Sequence, residues 1–196
     1  ALFKLLQKFE NITHDVLCDL FDKMIMPILC YGSEVWGFHR GDSVERVHLQ
    51  FCKKVSRRKW NTVNNLVYSE LGRTNIQCVR FSRIVKYWFK ILKSDTGRLI
   101  NTMYNVLLID ANNGKVNWVS MLRDLLQGYG FGHVWQNQGV QNETVFLKIF
   151  RQRVHDNFGQ SIHSELEQSS RGNTYVLFHS NFKFANYLQL KPSVTG

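Results

Sequence analysis

The sequence predicts an all-α protein built as a multi-helix array. Apolar side chains recur every three or four residues along most of the chain, the spacing that places them on one face of a helix. Only two prolines, Pro27 and Pro192, occur in 196 residues, so little in the sequence stops a helix once it has begun. Apolar and polar residues never alternate over more than a few positions, as they would in a half-buried strand. These observations favour helices packed on helices over a sheet.

Two amphipathic helices are predicted before residue 30. The first is short and carries its apolar residues at Leu2, Leu5, Leu6 and Phe9. The second runs from the N-cap Thr13 to about residue 29, and Pro27 is expected either to kink its last turn or to mark its end. Its inner face is expected to consist of Val16, Leu17, Leu20, Phe21, Met24, Ile25 and Ile28. A joint at residues 31–38 follows, and we expect its aromatic side chains to pack against the rest of the chain.

Three further helices are predicted between residues 43 and 93. Ser43 is expected to cap the first, with an apolar face of Val44, Val47, Phe51 and Val55. The residues left toward solvent would be Arg46, Lys53 and Lys54. The second spans about residues 62–71 and ends at Gly72, because glycine readily adopts the left-handed conformation that closes a helix. The third spans about residues 75–93, with Trp88 on its core side and Arg80, Arg83, Lys86, Lys90 and Lys93 on the other.

The rest of the chain predicts more helices. Thr96, Asn117 and Asn142 are expected to cap three of them, and residues 128–132 form a glycine-rich connector before the third. The third helix should bury Val145, Phe146, Ile149, Phe150, Val154 and Phe158. A polar helix over about residues 161–168 and a final helix over about residues 173–190 follow. The change in character near residue 95 predicts two regions, 1–95 and 96–196.

The net charge of +10 at pH 7 is concentrated in residues 40–93. That segment holds 13 basic and 3 acidic residues, so its net charge equals that of the whole chain. Between Gly72 and Asp95 there is no acidic residue, whereas a helix that only faces water usually mixes acids with bases. Such a localised excess of positive charge indicates a polyanionic partner, and nucleic acid is the one we expect.

The basic run at residues 53–59 is open to three interpretations: contact with phosphates, a nuclear-import signal, or ordinary solvation of a helix end. The second basic stripe, on the 75–93 helix, favours phosphate contact. Trp60 is the better candidate for stacking on bases, because basic and polar residues flank it, whereas Trp88 is expected in the core. Arg73 either contacts a phosphate or pairs with Glu70. The candidate binding residues are Lys53, Lys54, Arg57, Arg58, Lys59, Trp60, Arg73, Arg80, Arg83, Lys86 and Lys90.

Motifs for catalysis are missing from the sequence. It has no adjacent Asp-Asp pair to hold two Mg²⁺ ions, no Gly-x-x-x-x-Gly-Lys phosphate loop and no Gly-x-Ser-x-Gly elbow. The four cysteines, Cys18, Cys30, Cys52 and Cys78, lack the close pairing that zinc ligands need, so buried reduced thiols are expected. We therefore predict no catalytic residue, metal ligand, cofactor or small-molecule substrate for this chain.

Membrane insertion and secretion are not expected. No window approaches the roughly 20 apolar residues that a transmembrane helix needs, and no signal peptide leads the chain. Reduced thiols indicate an intracellular protein, in the cytoplasm, the nucleus or both. The chain begins at Ala1 within an apolar run rather than at a methionine, so we expect a piece of a longer polypeptide.

Several short motifs occur in one order along most of the chain. They are Leu20-Phe21-Asp22, the run from Pro27 to Gly37, Phe51-Cys52-Lys53-Lys54, Glu70-Leu71-Gly72-Arg73, Lys86-Tyr87-Trp88, Trp118, Gly130-Phe131 with Val134-Trp135, Gln152-Arg153 with Asp156, and Asn173-Thr174-Tyr175. In this order they resemble the segment that follows the catalytic palm in reverse transcriptases of non-LTR (LINE-type) retrotransposons.

The resemblance implies the thumb of such an RNA-directed DNA polymerase and the helical region after it. In that family the thumb grips the template–primer duplex, while paired aspartates and Mg²⁺ in the palm carry out the chemistry. The palm is not in this chain, so the implied fragment is not catalytic on its own. Residues 1–95 would be thumb-like, with a basic face at residues 40–93, and residues 96–196 would lie after the thumb. The implied partners are an RNA–DNA or DNA duplex backbone and the palm.

Two other functions stay open at this point. One is a helical protein–protein scaffold whose basic face docks an acidic partner. The other is a decayed element copy without activity, which fits a departure from the family pattern. The family usually has Pro-Leu after the Leu-Gly-Arg step, where this chain has Asn75-Ile76 after Thr74.

Overall fold

The computed structural model describes residues 13–39, 41–169, 172–179 and 181–185, and every regular element in those ranges is a helix. The predicted all-α class is confirmed. The predicted helix over residues 2–9 lies outside the described residues. The elements are α1 (His14–Leu20), a π-helical turn (Phe21–Ile25), α2 (Met26–Leu29), α3 (Ser33–Trp36), α4 (Asp42–Val55), α5 (Asn64–Leu71), α6 (Ile76–Leu92), α7 (Leu99–Asn112), α8 (Trp118–Gly128), α9 (Gly132–Gln136), α10 (Glu143–Gln168) and α11 (Asn173–Phe178).

Contacts within the chain divide it into two compact units. Unit 1 comprises Ala1–Tyr31, Ser43–Thr74 and Gly159–Gly196, and unit 2 comprises Gly32–Asp42 and Asn75–Phe158. Each unit is discontinuous in sequence, since α10 supplies its first part to unit 2 and its last part to unit 1. The predicted regions, 1–95 and 96–196, rest on composition rather than on contacts and stay a prediction.

The core of unit 1 forms on one face of α4. The buried residues of that face follow at steps of three and four, as the helical repeat requires: His48, Phe51, Cys52 and Val55. The ring of Phe21 stacks on Phe51 with the two centroids 4.1 Å apart. Of the predicted apolar face of α4, the two residues nearer the C-terminus are buried and the two valines nearer the N-terminus are half-buried.

The first described helical segment is interrupted by the π-helical turn, and the prediction of its buried face is wrong at most positions. Phe21 is buried, but four of the seven predicted inner residues are 41–69% exposed: Val16, Leu20, Met24 and Ile28. A π-helical turn inserts an extra residue into the helical repeat and so rotates the following positions around the axis. As a result Met26, which the regular repeat did not select, is buried. The turn ends two residues before Pro27, where the sequence predicted a kink or the end of the helix.

Gly72 ends α5 as predicted, in the left-handed conformation with a φ of 58°. A side chain there would also clash, because an added Cβ would lie 2.8 Å from the main chain of Lys183 and Phe184. The segment after α11 packs against α5, where the amide of Ala185 donates to the carbonyl of Glu70 at 2.7 Å. The predicted helix over residues 173–190 is therefore wrong at residue 179 and at residues 181–185. Residues 180 and 186–190 lie outside the described part.

The core of unit 2 is built from aromatic side chains on α6 and α10 and aliphatic side chains on α8. Trp88 is fully buried, as predicted, and stacks with Phe89 and Trp135 at centroid distances of 5.1 and 5.9 Å. Phe146 and Phe150 of α10 pack edge-on or tilted against Phe131. Phe131 lies in the glycine-rich stretch that was predicted to be a connector, so that stretch contributes to the core.

A chain of hydrogen bonds crosses the core of unit 2. Trp88 Nε1 donates to the hydroxyl of Tyr104 at 3.0 Å, and that hydroxyl donates to Gln138 Oε1 at 2.7 Å. Gln138 Nε2 donates to the carbonyl of Trp135 at 2.7 Å. Gln138 has a φ of 47° at the end of α9, a short helix that the sequence analysis missed. Its side-chain bonds offset the strain of the left-handed conformation.

The remaining helix boundaries are partly confirmed. Asn75 caps α6, and Asn117 caps α8 with a capping box in which its side chain accepts from the amide of Ser120 at 3.0 Å. The cap of α7 is Arg98 rather than Thr96. The predicted polar helix over residues 161–168 is not separate but forms the last part of α10. Ile162 and Leu166 within it are buried, so this part of the helix also has a packed face. In α10, Val145 and Ile149 are about half exposed and not inward as predicted.

Candidate nucleic-acid interface

The basic run of unit 1 is shaped by the way α4 ends. The amide of Arg58 donates to the carbonyl of Lys53 at 2.9 Å, and the amide of Arg57 donates to that of Lys54 at 3.1 Å. This pair of bonds is a Schellman motif, and it puts Arg57 in the left-handed conformation with a φ of 52°. Glycine is usual at that position because other residues cost about 1–2 kcal/mol there. The chain therefore reverses at an arginine, and residues 57–60 form a tight basic turn.

Lys53 holds this turn from the inside, contrary to the prediction that it faces solvent. Its ammonium donates to the main-chain carbonyl of Trp60 at 2.7 Å and lies 5.1 Å from the centroid of the Trp60 ring. Lys53 is only 6% exposed, and burial lowers the pKa of its ammonium. Lys53 lies on α4 next to the buried Cys52. Its long side chain extends from there toward the turn after the helix, where the Trp60 carbonyl accepts its hydrogen bond.

Arg58 binds Glu70 of α5. Its Nε donates to Glu70 Oε2 at 2.9 Å, and its Nη2 donates to Oε1 of the same carboxylate. The Glu70 side chain is 1% exposed, so its charge needs this partner inside unit 1. The sequence analysis left open a pair between Glu70 and Arg73; the structure places Arg58 on Glu70.

Arg73 lies in a partly buried polar network instead. Its two terminal nitrogens donate to the carboxylate of Asp22, one of them at 3.1 Å, and its Nε donates to Nε2 of His48 at 3.3 Å. His48 in turn faces Glu45 at 3.4 Å, and the hydroxyl of Tyr68 donates to that same carboxylate. The network joins the π-helical turn, α4 and α5 of unit 1, which is a structural role for Arg73.

The protonation of this network follows from the donors. A guanidinium can only donate, so Nε2 of His48 accepts and the ring proton of the neutral histidine is on Nδ1, toward Glu45. Burial lowers the pKa of His48, and Glu45 only partly opposes that effect. Burial also opposes the charge on Arg73, but the hydrogen bonds and the charge of Asp22 outweigh it and raise the pKa of Arg73. Burial raises the pKa of the adjacent Cys52 thiol to about 12.

Arg80, predicted on the outer side of α6, is also directed inward. It is 4% exposed, its Nη1 donates to the carbonyl of His39 at 2.7 Å, and its guanidinium lies 5.3 Å from the centroid of the Trp36 ring. These contacts are all within unit 2. Arg80 therefore fastens the joint at residues 31–38 to α6.

The joint itself is only partly packed. Trp118 Nε1 donates to the carbonyl of Glu34 at 2.9 Å, and Phe38 meets the Trp118 ring edge-on. Tyr31, however, is 85% exposed, so the expectation that the aromatic side chains of the joint pack against the chain is wrong at this residue.

The candidates that do face solvent are fewer than the sequence suggested. In unit 1 they are Lys54, Arg57, Lys59 and Trp60, with Arg58 partly exposed beside them. In unit 2, Lys86 and Lys90 are exposed on α6, and Arg83 is half-buried. Lys53, Arg73 and Arg80 are each held in internal contacts of their own unit. The structure thus separates the predicted set into outward cations and internal cations.

Two acids hold basic side chains that the sequence did not assign to them, since Glu70 binds Arg58 and Asp22 binds Arg73. Glu45 and Glu70 are two of only three acids among residues 40–93, and both are engaged in side-chain contacts in unit 1. Their rarity in a basic segment was the available signal, because an isolated acid among many bases tends to be paired. Asp22, far away in sequence, gave no such signal.

Among the residues that the structure describes, no group of three or more metal-ligating side chains comes together. Within the same residues, none of the helices combines the length and the apolar character needed to cross a bilayer.

Comparisons of the chain with protein-family models, curated proteins and solved structures found no match. The resemblance to non-LTR reverse transcriptases stays a prediction.

Proposed function

We propose that this chain binds the sugar–phosphate backbone of nucleic acid, as the thumb-like part of a non-LTR RNA-directed DNA polymerase. The contacting residues in this proposal are the outward cations Lys54, Arg57 and Lys59 of unit 1 and Lys86 and Lys90 of unit 2. Lysine and arginine contacts to phosphates supply affinity without reading sequence. Such binding suits a part that must hold any template–primer duplex.

The observation that best supports this proposal is Arg57 in the left-handed position of the turn. A glycine there would suit the fold better, because it removes the cost of the left-handed conformation. An arginine whose conformation is disfavoured and whose side chain is exposed points to a role outside the fold. A cation at the tip of a basic turn, followed by Lys59 and the exposed Trp60, is well placed for a phosphate.

Two basic residues of the same run that have partners inside unit 1 support the proposal indirectly. Lys53 and Arg58 fix the two sides of the basic turn, one through the carbonyl of Trp60 and the other through Glu70. We assign them a positioning role, since rigid placement reduces the entropy lost when the outward side chains bind. In the same proposal the chemistry, with its Mg²⁺, belongs to the palm, which would be the protein partner of this chain.

The experiment that tests the proposal compares four polyanions. The purified chain is titrated with an RNA–DNA hybrid, a DNA duplex of the same sequence, heparin and poly-glutamate at several salt concentrations. We expect the hybrid and the duplex to bind more tightly than heparin or poly-glutamate, with affinity falling steeply as salt rises. Preference for poly-glutamate would contradict the proposal and favour a docking face for an acidic protein.

A further inference from the structure

The two faces of the Trp60 ring have different surroundings. The ammonium of Lys53 lies against one face, 5.1 Å from the ring centroid, and Lys53 is itself buried. Trp60 as a whole is nevertheless 62% exposed. The exposed area therefore belongs mainly to the face and edges turned away from Lys53. An indole face that is open to water offers a platform for a flat ring.

The platform is held in place before any ligand arrives. Lys53 Nζ donates to the carbonyl of Trp60 at 2.7 Å, so one ammonium fixes both the main chain and the ring. On the other side of the turn, Arg58 is fastened to the buried Glu70. A ring fixed at both ends of its turn loses little conformational entropy when it stacks.

We propose that Trp60 stacks on an unpaired base of a nucleic acid while Arg57 and Lys59 contact the phosphates beside that base. This proposal rests on the proposed function and specifies the form of its ligand: a strand end or single-stranded extension next to the duplex. The platform and the two exposed cations lie within four consecutive residues, so one or two nucleotides reach both. Bases inside a duplex are already stacked on both neighbours and have no open face, whereas an unpaired base in an extension can offer its face to an indole.

A matched pair of ligands tests this inference. One is a blunt RNA–DNA hybrid, and the other is the same hybrid with a short single-stranded extension that carries 2-aminopurine, a base whose fluorescence falls when it stacks. We expect the extended hybrid to bind about tenfold more tightly, within the range measured for one base on an aromatic side chain. Quenching of the 2-aminopurine should accompany binding.

The variants Trp60→Ala and Trp60→Phe give the decisive comparison. Trp60→Ala should abolish both the preference for the extended hybrid over the blunt one and the quenching, whereas Trp60→Phe should keep part of each. Equal binding of the two ligands by the unmodified chain, or quenching that survives Trp60→Ala, would overturn the stacking site without affecting backbone binding. Failure of both hybrids to bind would overturn the proposed function and this inference with it. Thermal unfolding of both variants checks that the loss is not one of folding.

Discussion

Arg58 binds Glu70, which lies twelve residues further along the sequence. Because of this contact, the bases of residues 53–59 do not all have the same role. In the sequence the five bases at residues 53–59 look equivalent. In the fold, Lys53 and Arg58 are directed to internal partners, while Lys54, Arg57 and Lys59 are exposed. The net charge counts all five bases, but only Lys54, Arg57 and Lys59 are placed to meet a polyanion.

Removal of Arg58 should therefore weaken the fold more than the binding. Arg58→Met leaves the charge of Glu70 buried without its partner, and we expect a loss of about 3 kcal/mol in the free energy of unfolding, near the lower end for such pairs because Arg58 is partly exposed. Urea unfolding measures it. The double variant Arg58→Met, Glu70→Met should recover most of the loss, because it leaves no unpaired charge. Equal stability of Arg58→Met and the unmodified chain would show that the pair is not important for the fold.

Arg57→Gly should have the opposite effect on stability. Glycine relieves the left-handed conformation at a φ of 52°, so the free energy of unfolding should rise by about 1 kcal/mol. The same variant loses one phosphate contact, and the slope of log affinity against log salt should become shallower by about 0.9. A matched control is Lys148→Ala, which removes an exposed charge outside the basic segment and should leave the slope unchanged. A more stable variant with an unaltered slope would exclude Arg57 from binding.

His48 should make the stability of the chain depend on pH. Its pKa is lowered in the fold by burial, so the unfolded chain binds more protons below pH 6.5, the ordinary pKa of histidine. The free energy of unfolding thus has its full value above that pH and falls as the pH decreases toward the pKa of the folded state. The decrease is at most about 1.4 kcal/mol per pH unit for one histidine. His14, whose pKa is also lowered by burial, adds to the effect.

Urea unfolding at about pH 7.5 and about pH 5.5 measures this dependence. His48→Gln can still accept from Arg73 but does not titrate, so we expect a smaller loss of stability at the lower pH than in the unmodified chain. His14→Gln is measured beside it to separate the two histidines. An identical pH dependence with and without His48 would show that its protonation is not coupled to unfolding.

Tyr104→Phe tests the hydrogen-bond chain in unit 2. The change leaves Trp88 Nε1 without its acceptor and Gln138 Oε1 without its donor in the core. We expect a loss of about 1–3 kcal/mol in the free energy of unfolding, measured in urea. Tyr87→Phe is the control, since it keeps the edge-on contact with Trp118 and should be near neutral. A neutral Tyr104→Phe would mean that water replaces the missing hydroxyl.

Much of the fold could be predicted from the sequence because it depends on local signals. The start of α6 near residue 75, the cap at Asn117, the end of α5 at Gly72 and the burial of Trp88 each follow from a few neighbouring residues. The rotated face after residue 25 could not be predicted, because a π-helical turn alters the repeat on which the reasoning depends.

The candidate site was harder to predict for a different reason. Whether a lysine or arginine is outward depends on partners distant in sequence, such as Asp22 for Arg73 and His39 for Arg80. Helical periodicity gives the direction of a Cα–Cβ bond, but a long basic side chain can bend back to an internal acceptor. Only the fold shows which bases are exposed and which are turned inward.

The most direct test of the account is the salt dependence of RNA–DNA hybrid binding by a variant in which Lys54, Arg57 and Lys59 are all alanine. A control variant with alanine at Lys115, Lys148 and Arg151 removes the same charge outside the basic segment. The account predicts that the first variant flattens the slope of log affinity against log salt by about 2–3, with the fold intact, and that the control keeps the original slope. Equal slopes for both variants would show that charge alone drives binding and would contradict a site at this turn.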